Sequence, residues 1–227
     1  IAAYLVRQPL DSERRIRKIL ALLQRYGQPE AYALVCRSVA RQRLDRGLYG
    51  PAIAYYMRAN EPRRVAHIAD ELLLNYIRTG DLGQYTPIID NLGPQNQLFS
   101  DHLQFLSQYR DFHEHSQRKE WVKAGQVLVG LLTTQVAPKK FWFIMLVDAI
   151  PLLEGDELVL NSQDTSELMR CLEEITSSHL NQQYLQLTSP LWLKSKDKSI
   201  ANGRIPIDQQ LEIVRMTLVR NLARSLL

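Results

Sequence analysis

Cysteine is scarce in this 227-residue chain: there are two, Cys36 and Cys171, far apart. A disulfide framework or a zinc site needs clustered ligands, so two ordinary buried thiols in a reducing compartment are expected. Glycine and proline number ten each, which does not indicate low-complexity disorder. No apolar run is long enough to span a bilayer: Phe141–Val147 is the longest, and Asp148 interrupts it. The apolar Ile1–Val6 lacks the basic start of a signal peptide and soon meets Arg7 and Pro9. A soluble chain follows, and its start without methionine reads as a fragment. There is no Gly-rich phosphate loop, no GxSxG elbow and no HExxH helix. Phe-Gly repeats are absent as well.

What is present is helical periodicity. Hydrophobic residues make up 45% of the chain, enough for one large core or a stack of helices. Ile16, Ile19, Leu20 and Leu23 fall on one face, with Asp11 or Ser12 as cap and Gly27 as stop. Pro29 opens the next helix, to about Arg46, with Ala33, Leu34, Val35, Val39 and Ala40 inward. Further helices are expected from Gly50-Pro51 through Ala59, from Pro62 to Gly80, over Gln84–Asn91, from Leu98 to about Ser116, and over Trp121–Gln135. Phe141–Glu154 is apolar on nearly all sides and should lie centrally, with a kink or early end at Pro151. Thr165 to about Leu187 follows, capped by Asp164. Residues 188–206 are polar and punctuated and read as a mobile loop. Ile207–Leu227 is a final amphipathic helix packing on the preceding solenoid, residues 1–187. No convincing strand appears. About ten helices with short connections predict an all-α, irregular α-solenoid, since no strict repeat recurs at a fixed period.

The net charge of +4 is unevenly spread. Residues 1–80 carry fourteen basic against seven acidic side chains, residues 81–193 seven against fourteen, and residues 194–227 seven against three. Such poles suit electrostatic docking, although solvated helix faces explain each cluster equally well. Arg14, Arg15, Arg17 and Lys18, then Arg41, Arg43 and Arg46, then Arg63 and Arg64 are the basic clusters. A helical-repeat adaptor using them to bind nucleic acid is the alternative function. It is the weaker one, because a phosphate-binding stripe would be continuous and interleaved with aromatics.

No catalytic or metal constellation can be assembled, so the chain reads as a non-enzyme without cofactor. His113 and His115 are two apart and diverge on a helix. His67, His102 and His179 are isolated, and the adjacent carboxylates Asp156/Glu157 and Glu173/Glu174 point apart. Two features suggest protein binding. Trp192 lies in a polar loop, as a tether or as an exposed anchor. The last helix carries one apolar stripe, Ile207, Leu211, Val214, Leu218, Leu222 and Leu226. It carries a second through Ile213, Met216, Val219, Ala223 and Leu227, interrupted by Glu212 and Arg220. Either both stripes are buried within the chain or a partner covers the second, through Ile213, Met216 and Val219.

Four strings go beyond pattern: IIDNLGP at 88–94, YRDFH at 109–113, PKKFWFIMLVDAIPLLE at 138–154 and SQDTSELMRCLEEIT at 162–176. In this order the chain resembles the nucleoporin eighty-five family, scaffold subunits of the nuclear pore's Y-shaped coat. That resemblance implies the ancestral coatomer element fold, here the trunk end and tail module of the C-terminal half. It also implies a structural scaffold role at the nuclear envelope, in the coat that supports nucleocytoplasmic transport. The tail would dock against two larger scaffold nucleoporins at the Y-complex hub. The family's small propeller partner takes an insertion blade that these residues lack, so it is not expected to bind this stretch.

Overall fold

The computed structural model describes residues 2–79, 85–93, 98–177 and 206–226. Among these, no residue is in a strand, and twelve α-helices and one 3₁₀ turn are present. They are α1 Ala2–Val6, α2 Glu13–Arg25, α3 Pro29–Asp45, α4 Tyr49–Arg58, α5 Pro62–Thr79, α6 Thr86–Leu92, α7 Asp101–Gln117 and α8 Trp121–Thr133. The 3₁₀ turn Lys139–Phe141 leads into α9 Trp142–Asp148 and α10 Ile150–Glu154, followed by α11 Ser162–Ser177 and α12 Ile207–Ser225. The ten expected helices become twelve because α1 adds to the count and one expected helix is broken in two.

The break is a proline effect. Pro151 has no N–H to give the carbonyl of Val147 and crowds it. The helix therefore ends at Asp148, and Leu152 N–H turns to Ala149 O at 2.9 Å before α10 continues. At α11 the expected cap is corrected. Asn161, not Asp164, caps the helix: its Oδ1 accepts from Asp164 N–H at 2.8 Å and its carbonyl from Thr165 N–H at 3.0 Å. The helix consequently starts at Ser162; the continuation expected from 178 to 187 lies outside the described residues.

One stopping device recurs. After α2 and α3, Gly27 and Gly47 take φ of 61° and 73°, and the next N–H closes back on Leu23 O and Arg43 O, each at 2.9 Å. That is a Schellman end, which suits glycine because the left-handed region penalises a Cβ. After α4 and α7 the same bonds form with Asn60 and Lys119 in the left-handed position (Glu61 N–H to Tyr56 O, Glu120 N–H to His115 O). Each such end is followed by the next helix after three residues.

The chain divides into two compact units: residues 1–71 with 85–103, and residues 72–84 with 104–227. Within each unit helices pack chiefly on near neighbours in sequence, the solenoid-like pattern. In the first unit α3 lies along α4 and α2, and Ile16, Ile19, Leu20 and Leu23 are buried as the spacing predicts. Glu13 ties three of its helices together, accepting from Arg43 at 3.0 Å and from the Tyr55 hydroxyl at 2.6 Å. Burial, and then this carboxylate, pushes the Tyr55 phenol up to about 12. Leu34 departs from the expected inner face and is 43% exposed, its place taken by Cys36.

In the second unit α11 packs on α8, α9 and α12, and α12 also covers α10. Every side chain from Trp142 to Val147 is buried, so α9 is central as expected. Gly125 of α8 sits against the segment after α10. A Cβ there would lie 3.0 Å from both Val159 and Leu160.

Candidate protein-interaction surface

Helix α12 begins at Pro206-Ile207, and its aliphatic spacing predicts a buried stripe along Ile207, Leu211, Val214, Leu218, Leu222 and Leu226. Only Val214 and Leu218 of that set are buried, and Leu226 is 73% exposed. The other buried residues are polar: Gln210, Thr217 and Asn221. At 100° per residue the buried seam is turned about 60° from the predicted one.

The cause lies in what α12 packs against. The end of α10 and the segment after it offer backbone carbonyls to α12. The Asn221 amide donates to Leu160 O at 3.1 Å and to the Thr165 hydroxyl at 2.8 Å. Thr165 in turn donates to Asn161 O at 2.7 Å. The Arg224 guanidinium donates to the carbonyls of Leu153, Gly155 and Asp156, at 3.3, 2.8 and 2.9 Å. Buried polar groups need partners, and those partners determine which way the helix faces.

The second stripe lies on the opposite side of α12 from either seam and faces outward. Ile213, Met216 and Val219 are 36%, 54% and 44% exposed, and Ala223 is exposed with them. Burial of both stripes within the chain is thereby overturned. Glu212 interrupts this apolar face and pairs with Arg215 at 3.1 Å. Trp192, the other predicted contact residue, lies outside the described residues.

The histidines are held by neighbours rather than by one another. His102 meets Asp70 at 2.6 Å, His115 meets Glu120 at 2.6 Å, and His67 faces Glu71 at 3.5 Å. His113 Nε2 is 3.0 Å from the Tyr76 hydroxyl and 3.6 Å from Asp148 Oδ2. Among the described residues no three His, Cys, Asp or Glu side chains gather as metal ligands, and no helix is long and apolar enough to cross a membrane. Several arginines of the basic clusters are engaged within the chain. Arg15 pairs with Asp11 at 2.8 Å, Arg43 with Glu13 at 3.0 Å, and Arg17 lies 3.8 Å from Glu13.

Residues 1–174 match the Nup85 Nucleoporin family. Nuclear pore complex protein Nup85 of Xenopus laevis is 33% identical over 223 residues, covering 98% of this chain and 32% of the relative. The human protein of the same name is 31% identical over 224 residues, 99% of this chain and 32% of its own length. Nuclear pore complex protein Nup75 of Drosophila melanogaster is 27% identical over 231 residues, covering 100% of this chain and 33% of its own. The chain thus spans about a third of the length of these curated relatives. The four strings, the all-helical architecture and the match over residues 1–174 agree, and the chain belongs to the Nup85 nucleoporin family.

Proposed function

We propose that this chain is part of a structural scaffold subunit of the Y-complex and does no chemistry of its own. As a member of its family it is a nuclear pore component at the nuclear envelope. Its work in this reading is to hold other nucleoporins in place, through the outward face of α12. The occupants of that face are the two larger scaffold nucleoporins at the hub of the Y. The small propeller subunit is not a partner of this stretch.

The observation that carries the reading is the exposure of Ile213, Met216 and Val219 on a helix whose opposite side is hydrogen-bonded down. Aliphatic side chains in one row on a fastened helix form a preorganised contact, since little ordering entropy remains to be lost on binding. The experiment is a pull-down of the two hub nucleoporins by the Met216→Glu, Val219→Glu double variant. Loss of capture by a folded variant is the expected result. Capture at wild-type strength would remove this face from the interface.

A further inference from the structure

A cavity of about 250 Å³ opens in the second unit, lined by Phe112, His113, Ser116, Gln117, Trp121, Asp148, Pro151 and Leu152. By the liquid volume of water it has room for roughly eight molecules, or for the end of a long side chain. Its walls are mostly apolar and aromatic, but a carboxylate lines it. Asp148 ends α9, one residue before the break that Pro151 imposes.

The partners of that carboxylate are unevenly shared. Tyr109 donates its hydroxyl to Oδ2, and His113 Nε2 stands 3.6 Å from the same oxygen. Among the described residues nothing donates to Oδ1, and no lysine or arginine pairs with Asp148. The side chain is 21% exposed, as is that of His113, so both are reached from the cavity. A carboxylate taken this far out of water without a cation beside it is poorly compensated.

We infer that this cavity is a receptor for a basic side chain of a protein partner, its ammonium or guanidinium donating to Asp148 Oδ1 while its stem lies along Trp121 and Leu152. A cation there also meets the ring of Trp121, an attraction that water cannot supply. The groups around Asp148 favour this occupant. Burial holds His113 below its ordinary value, and so neutral near pH 7, while burial raises Asp148. His113 Nε2 is also 3.0 Å from the Tyr76 hydroxyl, so Asp148 does not have that nitrogen to itself. Tyr109 and Tyr76, both pushed up by burial, bring no charge. Asp148 is the acidic group lining the cavity, and the complement of its Oδ1 is a cationic donor from outside.

The test is a titration of the whole chain with N-acetyl-arginine methylamide, read by NMR at the Trp121 indole N–H. The neutral citrulline counterpart serves as control. A saturable shift with the arginine probe, at least tenfold weaker with citrulline and lost in Asp148→Asn, is the expected result. Equal response to both probes, or an undiminished response in Asp148→Asn, overturns the inference, as does no response to either, which would leave a cavity filled by water alone. Free guanidinium ion binding as tightly as the arginine probe would replace the side-chain occupant with a small cation and overturn the reading for a partner. Should Asp148→Asn fail to fold, Gln117→Arg at the exposed rim keeps the inference open to refutation. Its guanidinium should occupy the cavity, raise the thermal midpoint and exclude the probe. An unchanged midpoint with unchanged probe binding counts against the site.

Discussion

Helix α9 hides every side chain from Trp142 to Val147, whereas α12 hides a narrow seam and leaves Met216 54% exposed. Both are rich in aliphatics. They differ in what their neighbours offer. Around α9 the neighbours are other apolar faces, and Phe105 stacks at 5.6 Å on Phe141 of the 3₁₀ turn that leads into it, so burial follows composition. Beneath α12 the helices α10 and α11 cover Val214 and Leu218, while the carbonyls of residues 153–160 take the donors of Asn221 and Arg224. Apolar content therefore says how much a helix can bury, and the partner surface decides which side it buries.

The largest expected effect tests the apolar half of that comparison. Ile144→Ala or Leu146→Ala in α9, 3% and 0% exposed, should cost about 2–5 kcal/mol in denaturant unfolding. Unchanged midpoints would make α9 peripheral. The polar half comes next. Asn221→Ala removes two buried hydrogen bonds and should cost about 1–3 kcal/mol, with faster amide exchange along α12. If exchange there is unaltered, the aliphatics and not the amide hold the helix.

A smaller effect is a pH slope. Burial lowers the folded-state pKa of His113, so the unfolded chain takes the proton more readily. Stability should therefore be lost as pH falls through the ordinary value of 6.5, toward the lower folded value. Asp148, raised by burial, acts in the opposite sense, and its contribution is lost as pH rises through its folded value. His113→Gln should flatten the slope of the thermal midpoint between about pH 7.5 and 5.5. An unaltered slope would assign it to other groups. Smallest of all, Met216→Glu with Val219→Glu should move the stability of the isolated chain by no more than about 0.5 kcal/mol per site, since both are exposed. A larger loss would mean that the outward face of α12 is buried in solution.

Much of this architecture is legible in the sequence. The stripe of α2, the stripe Val65, Ile68, Ala69, Leu72 and Leu73 of α5, and the central burial of α9 all rest on apolar spacing, which packing enforces directly. Two helix ends with Gly27 and Gly47 are equally plain, but the ends at Asn60, Lys119 and Gln135 use ordinary residues in a strained region and give no such sign. The capping role of Asn161 is masked by Asp164, a good cap in the wrong place. Helix α1 escapes notice because five residues are too few to show a period. The facing of α12 is read only in part from its pattern: Val214 and Leu218 are buried as the spacing predicts, while Gln210, Thr217 and Asn221 are buried beside them. Asn221 and Arg224 look like surface residues until the carbonyls of 153–160, some sixty to seventy positions away, are brought beneath them. Ile213, Met216 and Val219 stand out in the pattern as a second apolar stripe, and they are exposed.

The Arg224 clamp has a consequence for the order in which the chain can mature. The carbonyls of Leu153, Gly155 and Asp156 lie at the end of α10, where a helix normally closes itself with a nearby glycine or N–H. Here the closing group is made about seventy residues later. During synthesis α10 and the segment to Leu160 must wait, solvated and incomplete, until residue 224 has left the ribosome, at 5–20 residues per second roughly four to fourteen seconds afterwards. Helix α12 is in this sense the latch of its unit: an element made late is the one that lets an earlier helix finish.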